Sequence, residues 1–483
     1  MMDWAGTTLT VAVFAPLLAA PLAFVLGHRA LPWLALLTAS LVLFSLLAAL
    51  MPPGGGSLLI ALGGWQAPLG ILWRHDGASA ATLLVSAAVA AAILVYASAY
   101  PALSRWQGRA LGFWPVFLLL WGGLNALFLA ADLFNLYVTL ELVSLAAVAL
   151  VVLEGSASSL TAGMRYLLIA LVGSLCYLLG VAQLYGQYGL LAMEQLGAVL
   201  ESNTPSRLAM ALISAGLCAK AAIFPLHVWL PAAHGQAPAP ASAALSALVV
   251  MAPMYILYRL HGELFPPLHT PGLLQGLGIL GAAAIVWGSL QALVQTRLKL
   301  LIAYSTVAQL GYFMLYFPLL HHPGAWAGGF YLMLSHALAK AAMFLGAGTI
   351  LHALGHDRIH ELRGVASRMP MTVLAFGVAG MTLLGLPPSG GFIGKWLLLQ
   401  AAIEGGQWRW VVVLLLGGLL TAGYLFRLLR HVFNSGPDPR RAPVAKRLEL
   451  TALLLAAASL LVGLAAKQPT LMLLGTAPTG VAP

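Results

Sequence analysis

Residues 217–231 read LCAKAAIFPLHVWLP, an apolar segment interrupted by one lysine, Lys220, and one mid-segment proline, Pro225. A second segment of this kind, LLGLPPSGGFIGKWLLL, covers residues 383–399 and places Lys395 shortly after two prolines and three glycines. Proline removes a backbone donor and clashes with the preceding helical turn, so unwound backbone inside an apolar span must face protein or water. Both segments therefore predict a membrane helix that is broken beside a lysine.

The composition of the whole chain agrees with a membrane location. Its 483 residues are 61% hydrophobic and only 7% charged, which leaves too little polar surface to solvate a globule of this size. Crossing about 30 Å of hydrocarbon takes roughly 20 apolar residues. On that criterion the sequence predicts an all-α polytopic membrane protein with about fourteen transmembrane helices. The predicted spans are 8–26, 31–50, 78–96, 111–130, 133–153, 164–184, 209–230, 239–260, 273–294, 298–317, 325–351, 371–402, 408–429 and 448–464.

The basic residues that lie outside the predicted spans, or within two residues of a span end, lie mostly on one side of the membrane. Fifteen follow odd-numbered spans and five follow even-numbered ones, so the positive-inside rule predicts both termini on the non-cytoplasmic side. With three intramembrane lysines these account for all 23 Lys and Arg residues, and we expect no other basic residue inside a helix. The fifteen are Arg29, Arg105, Arg109, Arg165, Arg297, Lys299, Arg358, Arg363, Arg368, Arg427, Arg430, Arg440, Arg441, Lys446 and Arg447, and the five are Arg74, Arg207, Arg259, Arg409 and Lys467.

The two interruptions lie five helices apart, in the predicted seventh and twelfth spans. A five-helix unit used twice has opposite orientations in its two copies, and paired interruptions are typical of inverted-repeat transporters. We therefore predict N-terminal helices 1 to 3 in residues 1–110 and a first repeat, helices 4 to 8, in residues 111–260. The second repeat, helices 9 to 13, occupies residues 261–430, and a loop, helix 14 and the tail occupy residues 431–483.

Four ionisable residues lie alone at membrane depth: Glu141, Lys220, Lys340 and Lys395. Such groups are costly in hydrocarbon, and ion or proton conduction is their default explanation. The alternatives are a structural carboxylate for Glu141, snorkelling of Lys220 and Lys395 to an interface, and packing of a polar stripe that includes Lys340 against a neighbouring helix. His336 precedes Lys340 by four residues, which puts both on one helix face and suits a proton relay.

Two histidines flank the break in the seventh span. His227 and His234 could feed protons to it, or could satisfy freed backbone carbonyls, and the sequence favours neither. The hydroxyl residues 304–306 are interpreted as contacts between helices, and Asp132 as a structural cap at a helix N-terminus. No spacing of His, Cys and carboxylates defines a metal site.

Several long motifs resemble one known family, the antiporter-like membrane subunits shared by respiratory complex I, Mrp-type sodium/proton antiporters and membrane-bound hydrogenases. The resemblance covers nearly the whole chain and is greatest for the D subunit of Mrp antiporters or the two shorter antiporter-like subunits of complex I. The motifs that carry it are DLFNLYVTLELVSLAAVALVV (132–152), AKAAIFPLHVWLPAAHGQAPAPASA (219–243), KLLIAYSTVAQLGY (299–312), SHALAKAAMFLGAGTI (335–350) and LPPSGGFIGKWLLLQAAIEGGQW (386–408).

The resemblance implies a fourteen-helix subunit in which a glutamate of helix five pairs with a lysine of helix seven. A hydrated polar axis then runs through helices eight and eleven to a charged residue in helix twelve. Matched motif by motif, these groups are Glu141, Lys220, His336, Lys340 and Lys395.

The chain departs from the family pattern in helix eight, where Met251 stands in place of the usual lysine or histidine. We expect water, Ser242 or Ser246 to bridge that gap if ions pass. Two smaller departures are Ala232, where the family often has aspartate, and Arg297, where an acid usually stands.

The resulting expectation is a subunit that translocates protons, or sodium and protons, within a multi-subunit complex in a bacterial inner membrane. An Mrp-type D-like antiporter subunit is favoured. The alternatives are a proton-pumping subunit of a complex I-like quinone reductase or membrane-bound hydrogenase, and a structural subunit that has lost conduction. We expect no cofactor, because no nucleotide, flavin, haem or iron–sulfur motif is present. The expected partners are other membrane subunits, the lipid bilayer and the ions, and not nucleic acid.

Overall fold

The computed structural model describes residues 2–26, 29–49, 56–67, 70–101, 103, 112–435 and 442–477, and these are mainly helical. The helices are α1 (Met2–Val25), α2 (Leu31–Ala48), α3 (Gly77–Ala99), α4 (Phe113–Leu129), α5 (Leu133–Val151), α6 (Ala157–Tyr188), α7 (Met193–Val199), α8 (Thr204–Lys220), α9 (Trp229–Gln236), α10 (Ala239–Leu264), α11 (Pro271–Val294), α12 (Leu298–Met314), α13 (Pro323–Leu354), α14 (Val365–Arg368), α15 (Pro370–Leu384), α16 (Gly390–Glu404), α17 (Trp408–Phe433), α18 (Lys446–Leu464) and α19 (Lys467–Leu474). Two short strands, β1 (Leu58–Ala61) and β2 (Leu72–His75), complete these elements.

The polytopic helical class is confirmed. Within the described residues, eleven helices are long and apolar enough to cross a membrane. The predicted fourth span is the shorter α4, and the predicted seventh and twelfth spans are divided into α8 with α9 and α15 with α16. The count of fourteen and the inverted relation between the halves remain predictions.

Both predicted breaks are present. Helix α8 ends at Lys220, and the chain then adopts a positive φ of 55° at Ala222 before Pro225 and a short 3₁₀ turn that leads into α9. Helix α15 ends with Gly385 at φ 84°, and α16 starts after Ser389, whose hydroxyl accepts a hydrogen bond from the amide of Phe392. Each break thus places a lysine at, or opposite, an unwound backbone.

The loops gather at two ends of the bundle. Strands β1 and β2 form an antiparallel hairpin that the sequence patterns above do not predict, and Trp73 of this hairpin forms a bridge with Ala130 at the end of α4. We call this end the hairpin side. At the opposite end, Arg297 forms a bridge with Arg358, and Arg297 also pairs with Asp357 at 2.9 Å.

The centre of the bundle consists of α10, α12 and α13. In each of these helices, 83% to 100% of the residues in the most apolar 18-residue stretch are buried. In the corresponding stretches of α1, α6 and α17, only 39% to 44% of the residues are buried, and these helices expose large apolar side chains. Side chains of that kind suit lipid or another membrane subunit. Polar groups on α10, α12 and α13 are therefore inside protein and need partners within the bundle.

The expectation that no further basic residue lies inside a helix is wrong. Arg259 lies within α10 and Lys299 in the first turn of α12, and each is 3% exposed. Arg259 lies at the end of an apolar run, and for that reason the sequence analysis predicts it in a loop. In the structure it lies within α10, where two carboxylates pair with it. The predicted loop residues Arg105, Arg109, Arg440 and Arg441 lie outside the described residues.

Candidate functional site

The predicted pair of Glu141 and Lys220 is present. Lys220 Nζ donates to Glu141 Oε1 at 2.5 Å and to Ser144 Oγ at 2.9 Å, and Ser174 Oγ also donates to the same carboxylate oxygen. The pair therefore joins the last residue of α8 to α5 and α6. The unwound turn after Lys220 allows this lysine to end a helix inside the bundle.

Burial determines what this pair can do chemically. The Lys220 side chain is 3% exposed and that of Glu141 is 19% exposed. Removing one partner of a buried ion pair leaves an uncompensated charge that costs several kcal/mol. The ammonium of Lys220 therefore depends on the position of Glu141, and movement between α5 and α8 changes how firmly the proton is held.

Lys340 lies at the centre of the bundle, and no salt bridge to it occurs in the described part of the chain. Its Nζ donates to the carbonyl of Ile302 at 3.1 Å and to Ser305 Oγ, both on α12. The side chain is 0% exposed, so neutral acceptors alone satisfy it. A buried lysine without a counter-ion can exchange its proton with a nearby acceptor at moderate cost.

His336 contacts both α10 and α12. Its Nε2 lies 3.3 Å from the carbonyl of Ser246, and its ring meets Phe313 edge-on. Ser246 belongs to a π-helical segment, Leu245–Val249, and its hydroxyl bonds Thr306 at 2.8 Å. Such segments alter the ordinary backbone pairing and are frequent at functional sites.

This arrangement bears on the missing helix-eight lysine or histidine. Met251 is buried and apolar, two residues beyond the π-helical segment. Ser246 offers both its carbonyl and its hydroxyl to the neighbouring helices, in keeping with one of the bridges expected from the sequence. Ser242 instead donates to the carbonyls of His234 and Ala237.

Lys395 lies opposite the second break. Its Nζ donates to the carbonyls of Leu383 and Leu384, at 2.9 and 3.1 Å, and lies 4.0 Å from the ring centroid of Tyr312. The two carbonyls end α15, where the helix dipole favours a cation. A half-helix terminus that faces a charged group is typical of ion sites in transporters.

One face of α12 contacts Lys340, Lys395 and the Ser246 partner of His336, and we call Ser305, Thr306, Gln309 and Tyr312 the polar stripe. Ser305 contacts the Lys340 amine, Thr306 bonds Ser246, and Gln309 donates to the Leu383 carbonyl at 3.3 Å. Residue type alone indicates no more than interhelical contacts for residues 304–306. The spacing 305, 309, 312 predicts a shared helical face, and that pattern could have identified the stripe.

Lys299 is a further candidate, although its position in the sequence predicts a loop. Its Nζ donates to the carbonyl of Ala237 at 2.5 Å, and its backbone amide donates to Asp357 at 3.2 Å. A cation in the first turn of a helix is disfavoured by the helix dipole. The unfavourable position of Lys299 in the first turn of α12 could have indicated that its side chain has a hydrogen-bond acceptor outside that helix.

The two histidines near the first break differ in their surroundings. His234 is 0% exposed, stacks on Phe344 at 4.5 Å, and lies close enough to Lys299 and Lys340 to feel both charges. His227 stacks on Phe224, and among the described residues no hydrogen bond or ion pair joins it to the pair of Glu141 and Lys220. His234 therefore belongs with the central groups, whereas His227 lies apart from them.

A second charged group lies on the hairpin side. Arg259 pairs with Asp76 at 2.7 Å and with Glu263 at 3.1 Å, and Arg74 pairs with both carboxylates. Burial alone would raise the pKa of Asp76, but the guanidiniums of Arg259 and Arg74 and the amide of Ser79 together hold it below its usual value. This network fastens the hairpin and α3 to the end of α10.

Asp132, also on the hairpin side, caps α5 by accepting a hydrogen bond from the backbone amide of Asn135 at 2.7 Å, as predicted. Burial raises the pKa of Asp132, although hydrogen bonds from Asn135 oppose that shift.

Comparisons with known proteins agree with this geometry. The chain is 39% identical over 389 residues to the N subunit of NADH-quinone oxidoreductase from Desulforudis audaxviator, covering 78% of this chain and 75% of that relative. It is 29% identical over 419 residues to the D subunit of the Na(+)/H(+) antiporter from Bacillus subtilis, covering 85% and 83%. A chain in the structure of the Mrp complex from Dietzia sp. DQ12-45-1b superposes with a TM-score of 0.89 at 25% identity, covering 99% of this chain and 97% of that one.

The family model described as "NADH:quinone oxidoreductase/Mrp antiporter, TM" matches residues 130–421, which include every central group described above. The resemblance inferred from the motifs is thereby confirmed. The match covers more than half of the sequence, and the chain belongs to the NADH:quinone oxidoreductase/Mrp antiporter transmembrane family.

Proposed function

We propose that this chain is an ion-translocating membrane subunit of a multi-subunit complex, in which protons move between Glu141–Lys220 and Lys395 past Lys340 and His336. The observation that supports this most directly is the polar stripe of α12, which contacts Lys340, the Ser246 partner of His336, and the surroundings of Lys395. Polar residues buried at the centre of a membrane bundle are costly and are retained for ion pathways.

The pair of Glu141 and Lys220 acts as the gate of this pathway. While Glu141 lies against Lys220, the ammonium is compensated and keeps its proton. When α5 and α8 separate, the ammonium loses its counter-ion in an apolar setting and gives up its proton more readily. In the described residues no hydrogen bond connects this pair to Lys340, so water completes that step.

Two energy sources fit the relatives. The likeness to the Bacillus subtilis antiporter chain supports gradient-driven sodium/proton antiport, our favoured assignment, with proton or sodium as the ion. The 39% identity with a chain of NADH-quinone oxidoreductase supports a proton-pumping role beside redox subunits. Co-purified subunits distinguish the two: small hydrophobic antiporter subunits indicate antiport, and quinone-reducing or hydrogenase-like subunits indicate a redox pump.

A structural role without conduction is the third hypothesis, and it depended on Met251. Ser246 supplies polar contacts close to that position, and this supports conduction. For orientation we propose a bacterial inner membrane with both termini, and hence the hairpin side, on the non-cytoplasmic face.

Ion flux in proteoliposomes containing the purified complex tests this function. Lys220→Ala and Lys395→Ala should each reduce flux on the order of tenfold or more, because each removes a group that must bind and release a proton. Lys467→Ala is the matched control, because Lys467 is exposed at the start of α19. Wild-type flux in both test variants, at matched protein content, would refute the proposal.

A further inference from the structure

A pair of stacked histidines lies on the hairpin side, outside the central groups. The rings of His261 and His269 are 5.2 Å apart and inclined by 10°, with His261 Nδ1 and His269 Nε2 at 3.1 Å. His261 lies in the final π-helical segment of α10 and is 0% exposed. His269 lies in the loop before α11 and is half-buried. We call these two residues the histidine pair.

The histidine pair is connected at its inner end to the helix that carries Lys220. His261 Nε2 lies 2.9 Å from Ser214 Oγ on α8, six residues before Lys220. The atoms from His269 Nδ1 to Ser214 Oγ therefore form one continuous hydrogen-bonding series that leads from the loop into the membrane region.

At the outer end of the series, His269 Nδ1 is buried and lacks a hydrogen-bond partner among the described residues. His321, an exposed residue of the loop before α13, is close enough to act electrostatically on His269. A donor or acceptor that reached His269 Nδ1 from this loop would complete the path to the surface.

Among the described residues, no carboxylate pairs with either imidazole. The rings of Phe265 and Phe317 contact His261 edge-on at 5.5 and 5.1 Å. The nearest carboxylate on the same helix, Glu263, is engaged by Arg74 and Arg259. Burial, aided by the nearby His321, lowers the pKa of His269 to about 4. A neutral imidazole offers one donor and one acceptor, as a relay requires.

We propose that His261 and His269 relay protons between the hairpin-side surface and the part of α8 that leads to Lys220, an inference that rests on the proposed function. A proton binds His269 Nδ1, and the proton of His269 Nε2 passes to His261 Nδ1. The proton of His261 Nε2 passes to Ser214 Oγ, whose own hydroxyl proton passes to water on the Lys220 side. Both rings end in the opposite tautomer, and reorientation restores them.

A purely structural brace would not need these residue types. A hydrogen bond between neutral groups contributes about 1 kcal/mol net, which apolar contacts at the same site would match. Burial of two imidazoles costs free energy that their hydrogen bonds only offset, so an apolar pair of similar shape would brace this site about as well.

Proton flux in proteoliposomes of the intact complex tests the relay. His261→Gln and His269→Gln keep an amide for hydrogen bonding but cannot accept and release a proton, so each should reduce flux on the order of tenfold. Their combination should reduce it no further, because both residues act in one series. His322→Gln is the control, since His322 is a surface residue of the same side that pairs with Glu404 at 2.6 Å.

Three further readouts separate the relay from lost structure. Added imidazole should restore flux in His269→Ala, melting temperatures should stay near that of the unmodified complex, and Ser214→Ala should reduce flux even if His261→Gln fails to assemble. Wild-type flux in His261→Gln and Ser214→Ala, with flux lost in Lys220→Ala, would overturn the relay and leave the proposed function intact. Wild-type flux in all three variants and in Lys395→Ala would overturn both.

Discussion

Gly173 determines how closely α6 approaches α8 beside the proposed gate. A Cβ at this position would lie 2.8 Å from the carbonyl oxygen of Gly216 and 3.3 Å from Lys220 Cγ. Ordinary C···O contacts are about 3.4 Å, so Gly173→Ala should push the helices apart by about 0.6 Å. Ser174, the next residue, donates to Glu141, and the displacement therefore acts on both partners of the gate.

The expected loss of stability can be worked from two opposing effects. Overpacking of a close contact costs about 2 kcal/mol, while replacing glycine by alanine within a helix returns about 1 kcal/mol. We expect Gly173→Ala to be destabilised by about 1 kcal/mol, with a lower melting temperature. Flux should fall several-fold, because the 2.5 Å contact between Lys220 and Glu141 lengthens.

Gly186→Ala is the matched control on the same helix. A Cβ at Gly186 would meet no atom within 4 Å, so only the helix propensity term applies and the melting temperature should rise slightly. The assay is thermal unfolding in detergent, followed by flux in proteoliposomes. If Gly173→Ala and Gly186→Ala behave alike in both measurements, close packing of α6 on α8 does not position the gate.

Three other predictions concern ionisable groups outside the gate. Arg259→Met should destabilise the protein by about 2 kcal/mol in thermal unfolding, less than the usual cost of breaking a buried pair because Arg74 still compensates Asp76; an unchanged melting temperature would contradict this. Because the pKa of His269 is about 4 when folded and about 6.5 when unfolded, the unfolded chain binds more protons between these values. Stability should fall as the pH drops from about 6.5 to about 4, and His269→Gln should flatten that dependence. Lys299→Met removes the donor to a buried carbonyl and should reduce flux on the order of tenfold; a lower melting temperature with normal flux would make Lys299 structural.

The contacts of α12 explain why a chain without a helix-eight lysine can keep a polar centre. Lys340 on α13 and Lys395 on α16 lie on different helices, and the polar stripe of α12 contacts both of them. Thr306 reaches α10 through Ser246. Thr306 thereby becomes a candidate for the ion pathway because of its packed neighbours, although its residue type alone indicates only a contact between helices.

The amino-acid sequence by itself determined the membrane class, the positions of most helices and the two breaks. The physical reason is that hydrocarbon thickness and proline chemistry act locally along the chain. The same local cost identified Glu141, Lys220, Lys340 and Lys395, because a charge among apolar neighbours is visible without knowing the fold.

The motif resemblance predicted the pair of Glu141 and Lys220, but only the tertiary structure showed that Lys340 and Lys395 have neutral partners and no counter-ion among the described residues. Glu141 and Lys220 lie 79 positions apart in the sequence. The contact of Lys340 with Ser305 of α12 cannot be predicted from the spacing of residues along α13. Packing also buried Arg259 and Lys299, for which sequence position predicts loops, and brought His261 against His269 and Ser214. Apolar patterning fixes where helices cross the membrane, whereas the partners of a buried polar group depend on helix rotation and neighbours, which no single segment encodes.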